Sequence, residues 1–143
     1  MSESTAADVL AAIAGVPYAR FLGLRLELAG DEMTAVLPFQ QSLIGNPVLP
    51  AIHGGVLGAM MEMTALAQIA VARHAAGDGG KLAKPIDVTV EYLRSGRPVD
   101  TYARATLKRM GRRIANVHVE AWQQSRSAPI AALHGHFLLP HDG

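Results

Sequence analysis

The sequence has no cysteine, and its charges almost cancel to a formal net charge of +1. The first absence excludes disulfide bonds, thiolate metal sites and cysteine nucleophiles. The second gives no reason to expect bulk attraction to nucleic acid or to acidic membranes. The N-terminal segment also lacks the basic and long apolar regions of a secretory signal, so we expect a cytoplasmic protein.

Half of the 143 residues are hydrophobic, a composition that disfavours disorder. This length is enough for one domain with a core and too short for two ordinary domains. The sequence shows no internal repeat, low-complexity tract or linker. We therefore expect residues 1–143 to form a single domain.

The longest apolar segment follows the loop sequence N-P-V-L-P and the tripeptide His53-Gly54-Gly55. Alanine, methionine and leucine dominate it, which predicts a helix from about residue 55 to residue 75. A helix that is apolar on almost every side belongs inside a protein or inside a bilayer. Because polar residues interrupt the run and strand-like segments surround it, we expect a core helix and no membrane span.

The flanking segments predict one short helix and six strands in an antiparallel α+β arrangement. Thr5 and Asp8 resemble a capping box at the start of a helix over residues 5–14. Alternating apolar residues and turn signals predict strands at residues 22–28, 33–39, 86–92, 101–110, 114–124 and 128–139. Residues 40–52 are predicted as a loop and residues 77–80 as a flexible connection.

Glu62 needs an explanation, because a carboxylate among apolar side chains is costly unless it is paired or protonated. One interpretation is a structural glutamate that pairs with an arginine or with the backbone. The other is a catalytic acid or an activated base. Its apolar neighbours favour this second interpretation: Met60, Met61, Met63 and Leu66.

The tripeptide His53-Gly54-Gly55 stands where the long helix begins. The first N–H groups of a helix lack partners within it and carry partial positive charge. They could stabilise a carbonyl oxygen that gains negative charge, and glycine would let a substrate come close. The alternative is an ordinary loop with a packed histidine.

Gly54 and Glu62 are eight residues apart, which separates them by about 12 Å along a helix. A base and an oxyanion donor acting on one carbonyl group must both come within about 3 Å of the reacting atoms. One copy of the helix does not meet this condition. Two antiparallel copies place Glu62 of one near Gly54 of the other, so joint action implies a two-fold dimer.

The chain resembles the hotdog-fold acyl-CoA thioesterases, and among them the PaaI-like group. The similar segments run through nearly the whole chain: P-Y-A-R-F-L-G-L, G-N-P, H-G-G-V-L-G-A-M-M-E, D-V-T-V-E-Y-L-R-S-G and K-R-M-G-R-R. The most specific piece is H-G-G with an acid nine residues after His53. The resemblance implies a hotdog fold, in which a six-stranded antiparallel sheet wraps around the long central helix. It also implies homodimers, and in many cases a dimer of dimers.

The resemblance assigns catalytic roles as well. The Gly54 N–H would polarise the thioester carbonyl group, and Glu62 of the other subunit would act as nucleophile or activate water. His53 would have an orienting role, and Gly55 would contact the substrate. The implied substrate is a small or medium acyl-CoA, aryl-acyl groups included, and no cofactor is required.

Two residues depart from the family pattern. The family's loop asparagine corresponds to Asn46, which stands one position earlier than usual. Leu66 occupies the position of a serine or threonine that helps to place water. These departures keep open a non-catalytic acyl-CoA-binding module. A hotdog hydroxyacyl dehydratase is a further alternative, but residues 40–45 lack the histidine that this chemistry pairs with its acid.

Seven arginines and lysines lie between residues 94 and 113. They are either solvated hairpin ends or contacts to the phosphates of coenzyme A, which in the related family lies near these turns. The candidates for nucleotide contact lie at or beside glycine turns: Arg94, Ser95, Gly96, Arg112 and Arg113. We expect no nucleic-acid partner, because aromatic residues are not regularly interleaved with these charges.

Three histidines fall in the last two predicted strands, at His118, His134 and His136. The last two share a face by the two-residue period of a strand. No third ligand is obvious beside them, so we expect no metal site.

Overall fold

The expected long helix begins within the His53-Gly54-Gly55 sequence, at Gly54. A computed structural model describes residues 5–77 and 81–140 of the chain. The helices are α1 (Ala6–Ala14), α2 (Pro17–Leu22) and α3 (Gly54–Ala75). Ahead of α3 lie β1 (Arg25–Ala29), β2 (Glu32–Leu37), a 3-10 turn at Gln41–Leu43, β3 (Ile44–Asn46) and β4 (Ala51–Ile52). After it come β5 (Lys84–Tyr92), β6 (Thr101–Met110), β7 (Ile114–Trp122) and β8 (Ala131–Leu138).

Six of the strands form one antiparallel sheet in the order β1-β2-β6-β7-β8-β5. β3 and β4 pair separately as a small antiparallel hairpin. Although β5 directly follows the helix, it pairs with β8 and so lies at one edge of the sheet. α3 packs on one face of the sheet, mainly against β2, β6 and β7. The predicted α+β class, six-stranded antiparallel sheet and long central helix are confirmed.

The core lies between α3 and the strands of that face. Met60, Met61 and Ala65 of the helix are fully buried together with Val117, Phe137 and other alternate residues of β6, β7 and β8. On length and composition alone α3 could cross a membrane. Its packing against the strands identifies it as the core helix.

Two local predictions were wrong. The leucine alternation predicted a strand from Leu22, but this residue ends α2. Pro17 is tolerated in the first turn of that helix, and Gly23 ends it in the left-handed conformation (φ 74°). The predicted loop at residues 40–52 contains β3 and β4. Of the predicted flexible connection, residues 78–80 lie outside the described residues.

The predicted capping box at α1 is confirmed. The Thr5 N–H donates to Asp8 Oδ2 at 2.9 Å, and the Asp8 N–H donates to Thr5 Oγ1 at 3.1 Å. The hydrogen bond from the Thr5 backbone, and next a hydrogen bond with the Thr5 side chain, lower the pKa of the Asp8 carboxyl group. The two bonds of the capping box satisfy two of the N–H groups at the helix start that lack partners within the helix.

The three histidines of β7 and β8, His118, His134 and His136, lie on the sheet face away from α3. The Nε2 atoms of His118 and His134 are 2.9 Å apart, and Glu91 Oε1 lies 3.1 Å from His134 Nε2. Burial lowers the pKa of His118, and the positive charges of His134 and Lys108 lower it further, against a smaller opposite effect of Glu120 and Glu91. One ring must be neutral for the two to share a hydrogen bond.

This lowered pKa predicts a pH dependence of stability. The unfolded chain takes up a proton at His118 near the ordinary histidine pKa of about 6.5, before the folded chain does. The stability that neutral His118 contributes is therefore fully present above that pH. It is lost as the pH falls from the pKa of the unfolded chain to the lower pKa of the folded chain. We expect His118→Asn to show a smaller loss in the free energy of unfolding between pH 7.5 and 5.5 than the wild type, measured by urea denaturation. Parallel losses in the two proteins would contradict this origin.

Candidate active site

Among the backbone N–H groups of residues 52–57, at the start of α3, one has no partner within the described part of the chain. The Ile52 N–H donates to Gly96 O at 2.8 Å, and the His53 N–H donates to Leu43 O at 2.8 Å. The N–H groups of residues 55, 56 and 57 all bond to His53, through its side chain or its carbonyl oxygen. Within the described ranges, no acceptor is bonded to the Gly54 N–H. A free N–H at a helix start attracts negative charge.

His53 caps the helix with its side chain. Its Nδ1 accepts the Gly55 N–H at 2.8 Å, so a neutral ring carries its proton on Nε2 and has no free basic nitrogen. Gly45 of β3 lies against this residue, since a Cβ atom there would be 2.7 Å from His53 Cα. The sequence analysis includes Gly45 in the G-N-P segment but does not predict its contact with His53, because β3 pairs with β4 only in the folded chain.

Tyr92, the last residue of β5, reaches the same helix start. Its hydroxyl group donates to Gly54 O at 2.9 Å. Its ring lies against the Gly54 backbone, where a Cβ atom would be 3.1 Å from Cε1 and Cζ. Gly54 therefore makes room for Tyr92, a reason for this glycine that the sequence analysis did not find.

The loop after β5 joins Gly54 around a cavity of about 400 Å³. Residues from the start of α3 and from the loop after β5 line the cavity together: Ala51, Ile52, Gly54, Leu57, Tyr92, Leu93, Arg94, Ser95 and Gly96. Ile130 O holds the loop by accepting the Arg94 N–H at 3.0 Å. Gln123, which the sequence analysis missed, accepts the Arg97 N–H at 3.0 Å and donates to Arg97 O at 2.9 Å.

Glu62 is half-buried on the side of α3 that the sheet leaves partly uncovered, in a row with Gly55, Ala59 and Leu66. It has no hydrogen bond or ion pair with any residue in the described part of the chain. Every buried side-chain oxygen or nitrogen there has a partner, so the Glu62 carboxylate is accessible from outside a single chain. It does not line the Gly54 cavity.

The remaining candidates lie in two other places. Asn46 Oδ1 accepts the N–H groups of Val48 at 3.0 Å and Leu49 at 3.3 Å, which shapes the loop before β4. Arg112 and Arg113 line a larger cavity, of about 630 Å³, at the β6–β7 turn. β6 alone spans about 33 Å, so within one chain these two arginines are far from Arg94.

The histidine, aspartate and glutamate side chains of the described residues are dispersed. Residues 5–77 and 81–140 contain no group of three histidine, aspartate or glutamate side chains that could hold an ion. His136 Nδ1 pairs instead with Asp87 Oδ1 at 2.9 Å. The groups that the candidate residues themselves offer are a carboxylate, a backbone N–H without a partner among the described residues, and basic side chains.

The class of protein follows from the fold and the helix start together. One antiparallel sheet packs on one long helix, the N–H at the start of this helix has no partner among the described residues, and an acid lies two turns later. This is the arrangement of the hotdog-fold thioesterases that the sequence motifs resemble. Known proteins agree with this assignment. Residues 49–130 match the thioesterase superfamily.

Individual relatives support the same assignment. The medium/long-chain acyl-CoA thioesterase YigI of Escherichia coli strain K12 is 31% identical over 116 residues, 73% of this chain and 74% of the relative. A crystal structure from Chromobacterium violaceum is 32% identical with a TM-score of 0.72, covering 94% of this chain and 91% of that one. The Escherichia coli PaaI protein from the phenylacetic acid degradation operon shares the fold, with a TM-score of 0.76 at 16% identity over 92% and 89% of the chains. This chain belongs to the thioesterase superfamily.

The contact between Gly45 and His53 can be tested by substitution. We expect Gly45→Ala to lower the free energy of unfolding by about 1–3 kcal/mol, because the added methyl group overpacks against the His53 backbone. Denaturant unfolding measures the change. Gly58→Ala is the matched control, since its Cβ atom would make only ordinary contacts at 3.7 Å, and we expect no loss of stability there. Equal stability of the Gly45→Ala protein and the wild type would show that the contact is not tight.

Proposed function

We propose that this protein hydrolyses the thioester bond of small or medium acyl-CoA molecules, aryl-acyl groups included. The observation that carries the proposal is the free Gly54 N–H at the lining of a cavity that also includes Arg94 and Ser95. Such a donor is fixed before the substrate arrives, so it stabilises a developing oxyanion without further reorganisation. Membership of the superfamily and the acyl-CoA specificity of the relative YigI support the substrate class.

In the proposed reaction Glu62 delivers the attack on the thioester carbonyl carbon. As a general base, its carboxylate takes a proton from water while the water oxygen bonds to that carbon. The tetrahedral oxyanion accepts a hydrogen bond from the Gly54 N–H. The carbon–sulfur bond then breaks, and the sulfur leaves with the proton that Glu62 held. As a nucleophile, Glu62 would instead bond to the carbon, and the carbon–sulfur bond would break to release the thiolate and leave an anhydride. Water would then hydrolyse the anhydride, which gives the free acid, restores Glu62 and supplies the proton that the thiolate takes up. Neither version requires a cofactor.

The residues that do not carry the attack have supporting roles. His53 orients the helix start, since its Nδ1 is occupied by the Gly55 N–H. Gly55 and Gly96 supply backbone surface beside the substrate. Asn46 shapes the loop that precedes β4 through its bonds to residues 48 and 49. The roles of His53 and Asn46 follow the contacts that these two residues make in the single chain.

A homodimer would complete the site. Gly54 and Glu62 of one α3 are about 12 Å apart along its axis, so the two residues can act on one carbonyl group only from different chains. The uncovered side of α3 carries Glu62 among half-buried apolar residues. Beside it, edge strand β5 exposes Ile86 and Val88, at 52% and 40% of their surfaces. An exposed apolar edge strand is suited to pairing with another strand, and a second copy would cover both surfaces.

The role of Glu62 is tested by Glu62→Gln, which keeps the shape of the side chain and removes its basicity. We expect kcat for the best substrate of an acyl-CoA panel to fall by about 10²- to 10⁴-fold, with acyl-CoA affinity retained. Release of free thiol measures turnover across acetyl, octanoyl, palmitoyl and phenylacetyl esters. Glu120→Gln, on the opposite face of the sheet, is the matched control. Turnover of no ester by the wild type, with acyl-CoA still bound, would favour a binding module.

Subunit complementation separates a composite site from a site within one chain. Gly54→Pro removes the candidate donor at the first helical position, where the helix backbone accepts proline. Circular dichroism must show that this variant keeps its fold, since a Cβ atom there would be 3.1 Å from the Tyr92 ring. If the site is shared, co-refolding it with Glu62→Gln gives heterodimers with one intact site, and about one quarter of the wild-type activity returns. Activity that stays at the level of the separate variants, with heterodimers present, would place both residues within one chain.

The basic residues fall into two groups with different proposed roles. Arg94 would contact the part of coenzyme A nearest the thioester, since it lines the Gly54 cavity. Arg112 and Arg113 would hold a phosphate of the nucleotide, reached from another copy of the chain or from the far end of an extended ligand. Arginine binds phosphate through two parallel hydrogen bonds.

We expect a variant with both Arg112→Ala and Arg113→Ala to raise KM for acyl-CoA by about 10- to 100-fold, because charge-assisted bonds to phosphate are lost. KM for the same acyl group on N-acetylcysteamine, which has no nucleotide, should not change. Arg25→Ala is the control, since Arg25 pairs with Glu27 on the other edge strand. Equal changes for the two substrates would contradict a nucleotide contact.

A further inference from the structure

Tyr92 stands out among the residues near the helix start because it is exposed and yet makes a specific contact. It is 56% exposed, at the end of the edge strand β5. Its hydroxyl group nevertheless donates to Gly54 O at 2.9 Å. A solvated tyrosine at a strand end would have no need of this bond, since water could satisfy its hydroxyl group.

The Tyr92 ring also fills the space beside Gly54. A Cβ atom on Gly54 would lie 3.1 Å from two ring carbons and 3.3 Å from the hydroxyl oxygen. At Gly58, one turn later, a Cβ atom would be 3.7 Å from the same oxygen. The ring therefore packs closely along the first turn of α3.

The neighbouring backbone groups show what this contact can do. Ile52 and His53 are held through their N–H groups by Gly96 O and Leu43 O, and the Gly55 N–H is held by the His53 side chain. Among the described residues, Tyr92 is the side chain that bonds to Gly54 itself. The His53–Gly54 peptide, which carries this N–H, is held by the bonds of the Val56 and Leu57 N–H groups to His53 O, and Tyr92 holds the following peptide through Gly54 O. Glycine has the widest range of backbone conformations, so both peptides must be held to fix the two backbone angles of Gly54.

We propose that Tyr92 is a positioning residue that fixes the Gly54 backbone, and with it the direction of the free Gly54 N–H. This inference depends on the proposed role of that N–H in hydrolysis. The hydroxyl group fixes the Gly54 carbonyl, and the ring keeps the glycine from moving toward β5. Tyr92 itself exchanges no proton with the substrate.

The test is Tyr92→Phe, which keeps the ring and removes only the hydroxyl group. A lost hydrogen bond of ordinary strength should lower kcat for the best acyl-CoA of the panel by about 3- to 10-fold. KM and the thermal midpoint should stay near the wild-type values, because substrate binding and packing are retained. The matched control is Tyr102→Phe, in the same sheet and stacked on Trp122. It should leave kcat, KM and the thermal midpoint unchanged.

A second measurement does not depend on turnover. Labelling with ¹⁵N-glycine limits the amide spectrum to the 14 glycines of the chain, and Gly54→Ala identifies the Gly54 signal by its loss. We expect Tyr92→Phe to move the Gly54 signal and Tyr102→Phe to leave it in place. The same spectra should show the other loop glycines, such as Gly30, unchanged.

Each result decides the inference. A lower kcat together with a displaced Gly54 signal supports it. Full activity with an unmoved signal overturns it, as does a loss of activity that merely follows a lower thermal midpoint. If the wild-type protein hydrolyses no acyl-CoA, the proposed function fails, while the Gly54 signal still decides whether Tyr92 positions this backbone.

Discussion

The structure depends on how the first turn of α3 is anchored. Separate segments of the chain converge there: Leu43, Gly96 and Tyr92 each bond to one backbone group of residues 52–54. His53 satisfies the next three N–H groups from within the turn. Together these bonds leave the Gly54 N–H unpaired within the described residues. A donor held by so many surrounding bonds is preorganised, which is the property that an oxyanion site requires.

The packing of α3 against the sheet leaves apolar surface of a single chain uncovered. The sheet buries one side of α3 against β2, β6 and β7 and leaves the side with Glu62 half-covered. β5 lies beyond the helix at the sheet edge, with apolar side chains exposed on it. Apolar surface and an unpaired strand edge on one side of a molecule favour association. The Glu62 carboxylate, which has no partner among the described residues, lies on that surface, so the proposed association and the proposed catalysis involve the same part of α3.

Much of the fold could be predicted because its signals are local. Thr5 and Asp8 predicted the start of α1, and the apolar run after Gly55 predicted α3 within one residue of its observed start. The leucine alternation failed at Leu22, where a proline and a glycine define a short helix instead. The sequence analysis did not place Tyr92 at the site, although the lengths of α3 and β5 indicate its position. α3 and β5 span about 33 Å and about 30 Å, so a strand that returns along the helix ends near Gly54.

From its residues alone, this chain specifies the class of fold, the superfamily and the two groups suited to thioester chemistry, because helix period, strand period and motif spacing are properties of neighbouring residues. Which glycine N–H is free, which side chain holds it and which basic residues share its cavity are not encoded in spacing. These depend on contacts between segments far apart in sequence, such as Gly54 with Tyr92 and Gly45 with His53. Such contacts exist only once the sheet has brought the segments together.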